Sequence, residues 1–237
     1  MRTWASFHGA KMRRPHTIAI DGPVAAGKNA VGSLLAERLG YRFIDTGAMY
    51  RALTWHALQC GIELTDEEAL SKLAVDTNIE LVSRGGDAAG GVILVNRRDV
   101  SADIRRQEVE KGVSLVAMVG GVRQQLVARQ RQMAVEGKVV MVGRDIGTVV
   151  LADAELKIYL RASPGERARR RHLELLQRGE HASYDHVLAD LERRDRLDSG
   201  RALSPLQPAA DARKVDTDGL DVEQVVSEIL RIIESRQ

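Results

Sequence analysis

The run IAIDGPVAAGKNAVGSLLAERLG, residues 18–40, limits the folds open to this chain more than any other part of it. It opens with a short apolar stretch over 17–20 that ends in Asp-Gly-Pro, as a buried strand does when it enters a tight turn. Over 30–39, Val31, Leu34, Leu35 and Leu39 recur at helical spacing, and Gly40 follows as a stop signal. Between strand and helix lies GPVAAGK, Gly22 to Lys28. A strand, a glycine-bearing loop with a lysine, and then a helix is the arrangement that holds nucleotide phosphates. The glycines let backbone N–H groups point inward, the helix N-terminus adds partial positive charge, and Lys28 adds a full one. An ordinary βα turn has no use for that lysine. The phosphate-loop pattern asks for Ser or Thr directly after it, to place a hydroxyl on magnesium, yet Asn29 and Ala30 stand there.

The same rhythm continues along the chain. Strands are expected over 41–44, 139–143, 156–162 and 213–217, with helices over 47–59, capped by Thr46 or Asp45, and from 222 to about 235. In the last helix Val225, Val226, Ile229, Ile232 and Ile233 share the core face. Strands alternating with helices imply an α/β fold: a five-stranded parallel sheet covered on both faces. Aromatic residues make up only 3% of the chain, so its core must be built from Ala, Val, Leu and Ile. The alternation breaks at IELVSRGGDAAGGVILVN, two strands around a glycine-rich turn, followed by mostly helical sequence interrupted at Gly120-Gly121. We read 63–122 as an inserted α+β subdomain within a core formed by 15–62 and 123–237.

Charge and composition exclude several classes. A net charge of +2 and a pI near 8.8 are too mild for a general nucleic-acid binder. Cys60 is the only cysteine, so neither an internal disulfide nor a cysteine-based zinc site is available, which fits a reducing cytoplasm. No apolar run approaches the ~18 residues of a membrane span. The start, MRTWASFHGAKMRRPH, is basic but lacks a signal-peptide apolar stretch. Residues 1–14 read as a disordered basic extension, or as sequence upstream of a true start at Met12.

Three further stretches carry chemistry. In DTGAMYRAL, Asp45 and Thr46 end a strand and Arg51 lies about one turn into the next helix. That is a capped helix with a solvated arginine, or an arginine that grips a second phosphate at the carboxyl edge of the sheet. GRDIGTVV places Arg144 and Asp145 at the end of another strand, as a structural ion pair or as site residues. In SPGERARRRHLELLQRG, Arg167, Arg170 and Arg171 fall on one helix face, and in RRDRLDSGRALSPL, Arg194, Asp198 and Arg201 follow at i, i+4 and i+7. Either set is a solvated basic face or a clamp over phosphates. The loop RGEHASYD between them suits a mobile lid, over about 163–190.

Taken together, IDGPVAAGK, DTGAMYRA, GRDIGTVV and RDRLDSGRALSPL resemble the bacterial cytidylate kinase family from about residue 17 to the C-terminus. The resemblance implies a P-loop nucleoside monophosphate kinase fold whose insert binds the acceptor nucleotide under a helical lid. It implies transfer of the γ-phosphoryl group of ATP, with Mg2+, to CMP or dCMP. It assigns Gly22, Pro23, Val24, Ala25, Ala26, Gly27, Lys28, Asn29 and Ala30 to ATP. Thr46, Arg51, Ser114, Arg123, Arg144, Asp145, Arg194, Asp198 and Arg201 go to CMP, with Ser114, Arg123 and Asp145 reading the base and Asp198 holding the sugar hydroxyl. Lys28, Arg167, Arg170 and Arg171 would serve catalysis as donor-phosphate clamps. A monomer is the family expectation, with no nucleic-acid or membrane partner.

The departure is at the loop. The family carries Gly or Ser and then Thr after the lysine. Asn29 supplies no hydroxyl, though its carbonyl oxygen is a hard ligand suited to magnesium, directly or through water, and Ala30 supplies nothing. A lost hydrogen bond to a charged phosphate costs about 1.5–3 kcal/mol. With Lys28 and the acceptor residues in place, the chain reads as a working variant. The alternatives are a nucleotide-binding module without turnover, a kinase that also accepts UMP, and an RNA binder. The last lacks an aromatic stacking platform.

Overall fold

The computed structural model describes residues 14–82 and 91–236. The expected N-terminal extension (but for Arg14) and the glycine-rich hairpin tip (but for Gly91) lie outside the described residues. The elements run β1 (Thr17–Asp21), α1 (Lys28–Leu39), β2 (Arg42–Asp45), α2 (Thr46–Gln59), α3 (Glu67–Asp76), β3 (Ile79–Val82), β4 (Val92–Val95) and β5 (Arg98–Asp99). They continue with α4 (Gln107–Val116), α5 (Gly120–Ala134), β6 (Val139–Gly143), β7 (Leu156–Arg161), α6 (Pro164–Gln177), α7 (Tyr184–Ser199), β8 (Arg213–Asp216) and α8 (Val222–Glu234).

Five strands form one parallel sheet in the order β2-β6-β1-β7-β8. Its faces follow from the two-residue period of a strand. Ile18 and Ile20 of β1, with Val140 and Val142 of β6, pack under α1 and α8. The intervening Ala19, Val139 and Met141 meet Val127 and Ala134 of α5 on the other face. Helix α1 lies very close to the sheet at Gly32, where a Cβ would come within 2.5 Å of Val142 Cγ1. Helix α8 is fixed at its start by a capping box, Asp221 accepting from the Gln224 N–H at 2.8 Å and Gln224 accepting from the Asp221 N–H.

The stretch between α2 and α5 folds as an antiparallel sheet, β3-β4-β5, against helices. The two strands expected there pair antiparallel, Ile79 opposite Val95, and β5 is a third strand that the sequence did not suggest. It is reached through Asn96 and Arg97, both at positive φ (48° and 68°), a tight turn whose twist matches its strands. Leu70, Ile79, Ile93, Val95, Val109 and Val116 bury together with α2 residues such as Met49 and Leu53 in a second core. Helices α6 and α7 close on each other through Ala168, Val187 and Leu191, and this small core also rests on Val24 and Ala25. Among the described residues no helix is long and apolar enough to cross a membrane.

Candidate active site

The carboxyl ends of β1, β2 and β6 lie side by side, with Asp21 opposite Gly143 and Asp45 opposite Val142. Ligands of open α/β sheets bind at such an edge. Leaving β1, the chain turns at Gly22 with φ 152°. There an added Cβ would sit 2.4 Å from the Leu160 carbonyl oxygen, so only glycine fits. Gly27, at φ 89°, then precedes α1, which starts at Lys28. Among the described residues no side chain caps α1 and no acidic residue lies in its first turn, which leaves the N-terminal N–H groups facing the loop for an anion.

Lys28 is buried and donates from Nζ to the Pro23 carbonyl at 2.6 Å. Burial and then the like charge of Arg144 push its pKa well below the ordinary lysine range, against the pull of Asp21, Asp45 and Asp198. A polyphosphate in the loop would restore that charge. Asp21, also buried, accepts from the Ile146 and Gly147 N–H groups, both at 2.8 Å, and so fastens the turn after β6 to the phosphate loop. Burial drives its carboxyl up to about 6. Residues 146–150 form a single wide π-helical turn whose carbonyls at Val149 and Val150 are met by Arg131.

A cavity of about 230 Å³ opens beside this loop. Its lining includes all of the acceptor-side residues expected from the sequence: Thr46, Arg51, Ser114, Arg123, Arg144, Asp145, Arg194, Asp198 and Arg201, with Val24, Ala25, Lys28, Asn29 and Arg171. They come from α1, α2, α4, α5, α6 and α7 and from the segments after β1, β6 and α7. Asp145 accepts a short hydrogen bond from Arg123, both side chains being almost fully buried. Asp198 accepts from Arg144 Nε at 3.0 Å on one oxygen and closely from Arg201 on the other. Burial opposes ionisation of Asp198, but Arg144 and Arg201 outweigh it and hold its carboxyl below the ordinary range. Arg194 has the opposite balance. Burial and the like charge of Arg144 lower it to about 10, and its Nε finds no hydrogen-bond partner among the described residues. Thr46 Oγ1 donates to the Val142 carbonyl at 2.8 Å and ties the start of α2 to β6 in the cavity lining.

A second cavity of about 500 Å³ shares Ala25, Asn29, Asp45, Arg51, Arg105 and Glu174 with the first and extends along Gly27 and Ala30. Gly22, Pro23, Ala26, Arg167 and Arg170 line neither space. Of the lid arginines, Arg171 faces the first cavity, in ion pairs with Glu110 of α4 and with Glu174. Arg167 donates to the Val24 carbonyl at 3.3 Å and to Asp195 at 2.6 Å. Arg170 bonds Glu166 and Thr217, and its Nη1 lies 3.8 Å from where a Cβ on Gly27 would stand. The three share a helix but not an environment.

Sequence reasoning missed Asp21, Tyr50, Arg105, Glu110 and Arg178, of which all but Asp21 line the first cavity. Tyr50 lies within DTGAMYRAL, four residues after Thr46, and Arg178 continues the Arg171–Glu174 spacing of α6, so both had a readable signal. Arg105 and Glu110 belong to the insert, where no motif marks them. Tyr50 is buried with its hydroxyl beside the Gln130 amide, and burial raises its pKa to about 12.

Residues 18–235 match the family profile described as cytidylate kinase. Over 225 residues, 95% of this chain, it is 52% identical to the cytidylate kinase of Geobacillus kaustophilus (strain HTA426), of which 99% is covered. Over the same span it is 46% identical to that of Bacillus subtilis (strain 168), again with 99% covered. It is 46% identical over 220 residues, 92% of this chain, to that of Rhodococcus opacus (strain B4), with 95% covered. A shikimate kinase structure from Bacteroides thetaiotaomicron overlays at a TM-score of 0.47 and 16% identity, over 92% of this chain and 98% of the other, a likeness too loose to bear on function. With residues 18–235 matched by the profile and close to half of its residues shared with these relatives, the chain belongs to the cytidylate kinase family.

Proposed function

We propose that this protein transfers the γ-phosphoryl group of ATP to CMP or dCMP, giving ADP and CDP or dCDP. The observation that carries the reading is the gathering of the nine acceptor-side residues around one cavity beside Lys28. No catalytic base is needed, because the attacking group is a phosphate oxygen already anionic at neutral pH. A bond forms from that oxygen to the γ-phosphorus as the bridge to the β-phosphate breaks. What remains is to hold two polyanions in line and to stabilise the charge that spreads between them.

Lys28 and the free N–H groups at the start of α1 take the donor phosphates. Arg51, Arg144 and Arg194 meet the acceptor phosphate, and Arg194 gains there the counter-charge its burial denies it. Asp145, oriented by Arg123, accepts from the exocyclic amine of cytosine, with Ser114 beside it. Asp198, braced by Arg144 and Arg201, holds the sugar hydroxyl. Arg171 reaches the donor phosphates by leaving Glu110, while Arg167, bonded to Val24, and Arg170, beside Gly27, support the loop. Residues 163–190 act as the lid and 63–122 as the acceptor subdomain. The reading includes a cytoplasmic monomer without a nucleic-acid partner.

The donor set suits magnesium carried in with ATP. Among the described residues no group of three or more acidic, His or Cys side chains gathers, and magnesium is usually held by phosphates and water with one or two protein oxygens. Asp45 and the Asn29 amide oxygen are the hard donors at the loop. When bound, the ion neutralises charge on the transferring phosphates.

The test is ADP release with ATP and magnesium, measured in parallel with CMP, dCMP, UMP and AMP. Turnover confined to CMP and dCMP is expected. Comparable turnover with UMP points to a broader kinase. No turnover with any of the four in a protein that still binds CMP refutes the reading and leaves a nucleotide-binding module.

A further inference from the structure

Asn29 departs from the family pattern, and the structure gives it a partner. Its side-chain amide donates to Asp45 Oδ2 at 2.7 Å. The same oxygen accepts from the Arg51 guanidinium at 2.8 Å, while Asp45 Oδ1 takes the Ala48 N–H at 3.3 Å. The second residue of α1 thus holds the carboxylate that anchors Arg51, in a different helix on the acceptor side. A serine here would be one bond shorter, and a glycine would offer nothing.

Asp45 is mostly shielded, and burial disfavours its charge, but Arg51 and then Asn29 hold its carboxyl below the ordinary range. The two donors compete for one oxygen. With Asn29 in place, Arg51 keeps a single contact to Asp45 and presents its remaining N–H groups to the cavity. Without it, Asp45 has only Arg51 as a side-chain partner, and a carboxylate in that position draws a guanidinium into a two-pronged pair. That turn takes donors away from the acceptor phosphate.

We propose that Asn29 is a positioning residue that, through Asp45, sets the orientation of Arg51 for the acceptor phosphate, so that a phosphate-loop side chain tunes affinity for CMP. The proposal rests on the function proposed above.

The experiment is calorimetric titration of CMP, without ATP or magnesium, into the wild type and Asn29→Gln, Asn29→Ala and Asn29→Asp, with Arg51→Ala made in the wild type and in Asn29→Ala. Asn29→Ala should weaken CMP binding about three- to tenfold, as expected for one exposed hydrogen bond to a charged group. Asn29→Gln, which keeps a donor, should recover most of the loss. Asn29→Asp should be worst, because it sets a second carboxylate against Asp45. In turnover the KM for CMP should rise while that for ATP stays within about twofold, and Asn29→Ala should add less than about twofold to Arg51→Ala.

Unchanged CMP affinity in Asn29→Ala overturns the proposal. So does a magnesium-dependent defect that Asn29→Asp repairs, which would make residue 29 a metal ligand. If the wild type binds no CMP, the proposed function fails first. The Arg51 side-chain ¹⁵N resonance of the ligand-free protein then decides the link, since it must shift in Asn29→Ala and stay near its wild-type position in Asn29→Gln.

Discussion

The buried pair of Arg123 and Asp145 offers the sharpest test of how this site is held together. Both residues are 5% exposed, and Arg123 also donates to the Ala117 carbonyl at 3.3 Å and lies over the Tyr50 ring at 5.8 Å. Arg123→Met removes the guanidinium and strands the Asp145 carboxylate. Breaking a buried pair from one side costs about 3–5 kcal/mol. The nearby positive charge of Arg201, which feels both Arg123 and Asp145, offsets part of this and places the loss near the low end, about 3 kcal/mol. For a chain of this size each kcal/mol moves the melting temperature by about 2–4 °C, so the ligand-free variant should melt about 6–12 °C early. Removing both charges, in Arg123→Met with Asp145→Leu, should restore most of that stability, since apolar replacement of a buried pair is often neutral or better. Neither variant should bind CMP appreciably. Scanning calorimetry without ligand, paired with CMP titration, reads both effects. A single variant within about 2 °C of wild type, or a double variant no more stable than the single, refutes the claim that Asp145 depends on Arg123.

Arg194→Met should act in the opposite sense on stability. It removes a half-buried charge poorly compensated in the ligand-free protein, so the melting temperature should rise by a few degrees while CMP affinity falls about ten- to a hundredfold. Lys28→Met should lower kcat by about 10²–10³ or more and leave CMP binding within about threefold, which separates the donor role from the acceptor role; a large loss of CMP affinity counts against that division. Asp21 carries a pH signature. Its carboxyl is raised from 3.8 to about 6 in the fold, so the native state binds the proton more readily than the unfolded chain. Its contribution is greatest below about pH 4 and declines as pH rises to about 6, by on the order of 3 kcal/mol. Urea midpoints across that range, compared with Asp21→Asn, should show this component in the wild type only.

Much of the fold was legible because its signals are local. A glycine-bearing loop between an apolar strand and an amphipathic helix, and apolar runs at regular intervals, fixed the parallel sheet to within a residue or two of each strand. Where α1 begins, at Lys28, Gly27 turns the chain at positive φ and no side-chain cap is found among the described residues. The strand β5 is only Arg98–Asp99, too short to show a period. Arg105 and Glu110 reach the cavity from an insert whose sequence carries no motif, and their place there depends on how the insert packs against α2 and α5.

The lid arginines mark the limit of reading by spacing. Helical periodicity puts Arg167, Arg170 and Arg171 close together, but it cannot say what faces each. Only the packing of α6 against α7 and the phosphate loop sends Arg167 to Val24 and Asp195, Arg170 to Thr217, and Arg171 to Glu110 across the cavity. The same holds for Asn29. From the sequence it is a missing hydroxyl, because what a residue lacks is visible in one dimension. That its amide meets Asp45, 16 positions along the chain, was settled by the pairing of β2 with β6, and of β6 with β1, which sets the ends of the two strands at one edge. The sequence alone determined which residues could carry charge and phosphate chemistry, and in what order along the chain. The tertiary structure decided which charges face one another, because that depends on strand register and helix packing between residues far apart in sequence.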